Sequence, residues 1–167
     1  PAKPLGAAGD GGALFTDDAD RAATYRRLRV HGADARGECL SVGMTGRLDT
    51  IQAAVLIEKL KIFPDEIASR DRIARRYNAA LADVATVPAL AEGCTSVWAQ
   101  YTLRLEPGKR GPLADALKAR GVPTAIYYPI PLHRQVAYKK YPSAGNGLPV
   151  TDRICEEVIS LPMHAYL

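Results

Sequence analysis

The chain has 167 residues, 47% hydrophobic and 24% charged, the balance of a globular protein of one domain or two small ones and not of a disordered segment. Its 22 Lys and Arg exceed 18 Asp and Glu by a net +4, spread along the chain without the basic block or aromatic-interleaved stripe of a nucleic-acid binder. Apolar runs are too short for a helix across a bilayer, and the first residues lack the charged-then-apolar pattern of a secretion signal.

Gly9, Asp10, Gly11 and Gly12 mark a turn, and residues 13–16 read as a short strand. That strand has nothing before it to pair with and no initiator Met precedes it, so the chain reads as a fragment. Thr16 or Asp17 then caps a helix to about residue 30, with Asp18 and Asp20 in its first turn and Arg26, Arg27 and Arg29 at its end. Residues 31–47 are glycine-rich and aperiodic, which predicts a loop. Asp49 followed by Gln52 is a capping-box pattern, and Ile51, Val55, Leu56 and Leu60 continue a helix that Phe63 and Pro64 break or bend. A new helix follows over 65–82, with Ile67, Ile73, Ala74, Tyr77 and Leu81 at helical spacing. Its other faces carry Arg70, Asp71, Arg72, Arg75 and Arg76, the pattern of a solvated or ion-paired surface.

A loop over 87–96 suggests a domain boundary, and beyond it the pattern becomes β-α-β-α. The spacing predicts a strand over 97–105 with Trp98 in the core, and a helix over 112–120 ended by Gly121. A second strand over 122–127, a Gly/Pro loop over 142–149 and a helix over 150–159 complete an α/β pattern. Cys39, Cys94 and Cys155 match neither a zinc spacing nor a disulfide framework, so no metal and a reducing cytoplasm are expected.

Lys3 alone would read as a solvated surface lysine. Set among Pro1, Leu5 and Gly6 and followed by Gly9, Asp10, Gly11 and Gly12, it resembles the cofactor-lysine segment of the DegT/DnrJ/StrS-type sugar aminotransferases, which depend on pyridoxal phosphate. The resemblance continues, in the family's order, at His31 and Gly32, and at Gly43, Met44, Thr45, Gly46, Arg47, Leu48 and Asp49. It recurs at Tyr128, Pro129, Ile130, Pro131, Leu132 and His133, and at Ser160, Leu161, Pro162, Met163 and His164. Lys59, Leu60, Ile62 and Phe63, with Gln100, Tyr101 and Thr102, most resemble members that install a 3-amino group on UDP-linked N-acetylated 3-keto hexuronic acids.

The resemblance implies the C-terminal part of a fold-type-I transferase. Residues 1–64 would end the large domain, 65–83 form a connecting helix and 84–167 make a small α/β domain. It further implies amino transfer, from glutamate, to a UDP- or dTDP-linked keto sugar, in the making of amino sugars for surface polysaccharide such as lipopolysaccharide O-antigen. The implied enzyme is a cytoplasmic homodimer with its site at the subunit interface, with no nucleic-acid or membrane partner. Lys3 would hold pyridoxal phosphate covalently and then shuttle a proton, both tasks of a neutral amine.

Other positions carry over by the same likeness. Thr45 stands where the family commonly has an Asn that reaches the cofactor phosphate; its hydroxyl offers one donor instead of two. Arg47 suits a substrate carboxylate or phosphate, or else pairs with Asp49 at the helix entry. Tyr127 and Tyr128 stand where relatives have His and Tyr at the edge of the sugar pocket, or else anchor a strand end. His133 matches a histidine beside the nucleotide sugar, whereas His31 and His164 read as structural. The family's carboxylate for the cofactor ring lies upstream of Lys3, so the chain is expected to be inactive alone. A non-catalytic regulator or scaffold of the same fold is the alternative.

Overall fold

A computed structural model describes residues 2–145 and 147–167; Pro1 of the lysine motif and Asn146 of the 142–149 loop lie outside the described residues. The chain divides into two units, Pro1–Pro64 and Asp65–Leu167.

In the first unit, helix α1 (Ala19–Leu28) starts where the Asp18 carboxylate accepts from the amides of Asp20 and Arg21, each at 3.0 Å. Asp18, and neither Thr16 nor Asp17, is therefore the cap. The Thr16 hydroxyl is used one step earlier, accepting from the Asp18 amide at 3.2 Å. The expected strand at 13–16 is absent: the segment has no ladder partner, and Leu14 and Phe15 stand in solvent. A lone four-residue strand has no neighbour to supply its hydrogen bonds.

The loop at 31–47 is more ordered than its sequence suggests. Bridges join Val30 to Thr45 and Ala33 to Cys39, and the Asp34 carboxylate gathers the amides of Arg36 (2.8 Å) and Glu38 (3.0 Å). Gly32 sits at φ +76, with the Ser41 carbonyl oxygen 1.9 Å from where a Cβ would be, so only glycine fits this approach.

Helix α2 (Thr50–Leu81) carries the chain from the first unit into the second and contains Pro64 in its interior. Of the expected break or bend at Phe63 and Pro64, the break does not occur: the helix runs on through both residues. Proline removes one i to i−4 bond and costs about 3 kcal/mol in a helix interior. The capping box is also not made, because the Gln52 side-chain oxygen instead accepts from the Ala8 amide at 2.9 Å.

In the second unit, β1 (Tyr101–Arg104) pairs antiparallel with β2 (Val158–Leu161), with Tyr101 opposite Leu161 and Arg104 opposite Val158. Between them lie α3 (Arg110–Ala119), a 3-10 turn (Leu132–Arg134) and α4 (Pro149–Glu157). The strand expected over 97–105 contracts to its middle, and the one over 122–127 contracts to a single bridge from Ala125 to Ser160. The last helix stops two residues before 159, since the β-branched Val158 and Ile159 enter β2 and bond β1 instead.

Alternation along β1 turns Tyr101 and Leu103 inward, and Leu105 continues the pattern. They form one core with Ala74 of α2, Trp98 and Ile159, flanked by Tyr77 and Leu81. Trp98 is thus in the core, as expected. Polar groups at this core find partners: Tyr101 Oη donates to Asn78 at 2.6 Å and Trp98 Nε1 to Asp71 at 3.3 Å. The arginine-rich stretch of α2 is in part ion-paired, with Arg75 on Asp71 at 2.7 Å, while Arg70 donates to the Trp98 carbonyl.

Candidate functional site

Lys3 is exposed on a turn over residues 2–5, closed by the Gly6 amide on the Ala2 carbonyl at 3.1 Å. Two side chains of α2 touch the segment that follows. Gln52 holds the Ala8 amide, and the Lys59 stem packs against Gly6, where a Cβ would come within 2.9 Å of Lys59 Cε. Gly6, at φ +90, thus permits both the turn and the close approach.

Thr45 is exposed, and its Oγ1 lies 3.4 Å from His31 Nε2. Around it the backbone is committed: the His31 amide donates to the Met44 carbonyl and the Gly46 amide to that of Arg29, each within 3.0 Å. The hydroxyl of this exposed residue can face a ligand. His31, expected to be structural, is the side chain beside which this hydroxyl lies. Arg47 is exposed at the entry to α2 and makes no ion pair with Asp49 among the described residues.

The other expected positions lie in the second unit. Tyr127 is half-buried and Tyr128 exposed, their rings edge to face with centroids 5.6 Å apart. His133 sits in the 3-10 turn with Nε2 3.0 Å from Asp152 Oδ1, while Arg134 reaches Asp152 Oδ2 at 2.7 Å. The Arg134 hydrogen bond, followed by the charges of Arg134 and His133, holds the Asp152 carboxyl below the ordinary aspartate range against the opposing effect of burial. His164 accepts from the Tyr166 amide at Nδ1, a local structural role.

Asp152, Gln52 and the contact of His31 with Thr45 escape sequence reasoning. Asp152 is separated from His133 by the Gly/Pro loop, and an acidic residue in the first turn of a helix needs no further explanation. Among the described residues no group of three or more His, Cys, Asp or Glu side chains is placed to hold a metal ion, and no helix is long and apolar enough to cross a membrane. All three cysteines are unpaired thiols, Cys155 buried and the others exposed.

The DegT/DnrJ/EryC1/StrS aminotransferase family profile matches residues 1–167. The chain is 46% identical to the UDP-2-acetamido-2-deoxy-3-oxo-D-glucuronate aminotransferase of Pseudomonas aeruginosa, an alignment covering 100% of this chain and 45% of that protein. It superposes on a DegT DnrJ EryC1 StrS aminotransferase from Brucella abortus with a TM-score of 0.94 and 52% identity, covering 100% of this chain and 44% of that one. On DesV of S. venezuelae the TM-score is 0.89 at 34% identity, covering 97% of this chain and 44% of the other. The chain spans a little under half the length of the curated relatives it matches. The expected fold, part of a pyridoxal-phosphate-dependent α/β transferase, is the fold of these structures. Motifs, fold and a profile match over residues 1–167 converge: the chain belongs to the DegT/DnrJ/EryC1/StrS aminotransferase family.

Proposed function

We propose that the chain is the C-terminal portion of an enzyme that transfers an amino group from glutamate to a keto sugar carried on UDP or dTDP. A UDP-linked N-acetylated 3-keto hexuronic acid is the substrate best supported. The main support is the 46% identity, sustained over the whole chain, to an aminotransferase named for such a sugar. The product would be an amino sugar for surface polysaccharide such as O-antigen, made in the cytoplasm by a homodimer whose sites lie between subunits.

The family's cofactor is pyridoxal phosphate, and the residues present fit it. Lys3 offers an exposed primary amine on a glycine-bounded turn, and Thr45 a hydroxyl beside His31. Pyridoxal phosphate supplies, when bound, the electron sink that lets the carbon bearing nitrogen lose and regain a proton. The Lys3 amine would hold the cofactor covalently and, once released, move that proton as general base and acid. Thr45 would donate one hydrogen bond to the phosphate. Arg47 would bind a carboxylate or phosphate of the substrate with its planar fork. Tyr128 would stack on or hydrogen-bond the sugar from the outer edge of the pocket, with Tyr127 behind it, and His133 would border the nucleotide sugar. The domain roles follow from the same reading, with residues 1–64 ending the large domain, 65–83 connecting and 84–167 forming the small domain.

Borohydride reduction of the full-length enzyme with pyridoxal phosphate, followed by peptide mapping, tests the assignment. The adduct is expected on Lys3, and both Lys3→Ala and Lys3→Arg should abolish turnover, since a guanidinium stays protonated. An adduct on another lysine, or undiminished turnover in both variants, overturns Lys3, and the absence of both turnover and adduct in the unaltered enzyme favours the regulator or scaffold reading.

A further inference from the structure

The turn that carries Lys3 leads into residues 6–12, where Gly6, Gly9, Gly11 and Gly12 make the composition least able to hold one conformation by itself. Among the described residues, the Ala8 amide is the one backbone group between residues 7 and 15 that hydrogen-bonds to another element, and its acceptor is Gln52 Oε1 at 2.9 Å. The next residue lies against the same side chain: a Cβ added at Gly9 would stand 3.0 Å from Gln52 Nε2. Gly6 meets α2 two turns further along, at the stem of Lys59. Gln52, Leu56 and Lys59 stand at i, i+4 and i+7, on one face of the helix. The two contacts are about 10 Å apart along the axis, a span that the three steps from Gly6 to Gly9 can cover. Leu56, between them, is buried, as a helix face crossed by another segment would be. Gln52 forgoes the capping box for this bond, so its side chain serves the Lys3 segment and not the start of its own helix.

We infer that Gln52 is a positioning residue for Lys3: by holding the Ala8 amide it fixes the glycine-rich segment along α2, and with it the place from which the Lys3 amine reaches the cofactor. The inference rests on the reading of Lys3 as the cofactor lysine. That amine has two tasks, to hold the cofactor and, once released, to move a proton, and the second succeeds only if the amine stays where the first left it. A misplacement of about 1 Å can cost a hundredfold in rate. The position requires an oxygen acceptor, since a backbone N–H can only donate. Gln52 acts through Ala8 and the turn, and Lys59 supports the same segment from below Gly6.

In the full-length enzyme without cofactor, Gln52→Met should speed hydrogen exchange of the Ala8 amide about tenfold. When pyridoxal phosphate is then added, the rate at which borohydride traps the adduct on Lys3 should fall about tenfold. With the enzyme loaded, kcat should fall about tenfold while KM for the nucleotide sugar stays within about threefold, because substrate-binding groups are untouched. Gln52→Glu keeps an acceptor oxygen at the same reach and should restore all three quantities to within about threefold of the unaltered enzyme. Gln52→Asn keeps the amide but falls one methylene short, and should behave as Gln52→Met does.

Unchanged Ala8 exchange or unchanged Lys3 trapping in both Gln52→Met and Gln52→Asn overturns the positioning role. So does a Gln52→Glu variant as slow as Gln52→Met, since the acceptor would then not be what matters. An adduct on a lysine other than Lys3 in the unaltered enzyme overturns the reading of Lys3 and the inference with it, even where Gln52→Met speeds exchange at Ala8. Should Gln52→Met fail to fold, the contrast between Gln52→Asn and Gln52→Glu decides the matter.

Discussion

Helix α2 runs through both units of the chain, and its two halves meet different fates. In the first half Ile51 is 83% exposed, with Ile57 and Leu60 also largely open; in the second, Ile73 and Ala74 are buried. The units as wholes repeat the contrast. Asp65–Leu167 builds a core from α2, β1 and β2 around Tyr101 and Ile159. In Pro1–Pro64, Leu56 is the sole buried large apolar side chain among the described residues, while Leu14, Phe15, Val42 and Met44 face solvent. The first unit is held by backbone hydrogen bonds, an aspartate-centred turn and close glycine contacts; the second is held by packing. An apolar stripe on a helix says that something must cover it, not what does. In the second unit the same chain supplies the cover. Under the proposed reading, the first unit's cover belongs to the rest of the enzyme or to its second copy.

The sharpest test of this contrast removes one ring from each unit. Tyr101→Ala empties a fully buried site and should cost about 3–5 kcal/mol, read as a drop in the urea midpoint. Phe15→Ala, at a side chain 92% exposed, should stay within about 0.5 kcal/mol. Equal losses would erase the distinction between a packed and an unpacked unit.

A glycine pair sharpens it further. Gly32→Ala places a Cβ on the Ser41 carbonyl at positive φ and should cost about 2 kcal/mol or more, with faster hydrogen exchange at the Leu40 and Met44 amides. Gly108→Ala, at φ +80 but with open space around it, should cost only the backbone strain, about 1 kcal/mol. Comparable effects at the two sites would show that the first unit is not built on close backbone approach.

Acid should loosen both units through one identified carboxylate each. Asp34 is held below its ordinary range chiefly by the Glu38 amide, and Asp152 chiefly by its Arg134 hydrogen bond. A depressed folded-state pKa stabilises above the unfolded value, so each contribution is complete at neutral pH and is lost as pH falls below about 4. Asp34→Asn and Asp152→Asn should each flatten the acid limb of a thermal-melting profile against pH. An unchanged limb in either would remove that carboxylate from the account. The smallest expected effect on stability, with a visible effect on association, belongs to Leu14→Ser with Phe15→Ser. The unfolding midpoint should hold, while sedimentation should show less self-association than in the unaltered chain. Equal association would place the sticky surface elsewhere.

Much of the architecture was legible from local signals. The cap region before α1, the end of α3 near Gly121, the inward alternation of β1 and the core position of Trp98 each follow from chemistry within a few residues. The motifs around Lys3, Thr45, Arg47, Tyr128 and His133 were legible too, because backbone-limited glycines and a reactive amine leave a recognisable string. Tertiary structure decided the rest. Residues 13–16 make no strand because no neighbour offers a ladder, and Val158 leaves α4 because β1 does offer one. Pro64 stays inside α2, and Gln52 leaves its capping box for the Ala8 amide behind Lys3. Asp152 meets His133 across a loop that no periodicity spans. In this protein the sequence by itself determined which segments are helical and which residues carry the family's motifs, since both depend on near neighbours. Which segments become strands, and which partners orient the candidate site residues, was decided only by the fold, since those bonds close between groups far apart in the chain.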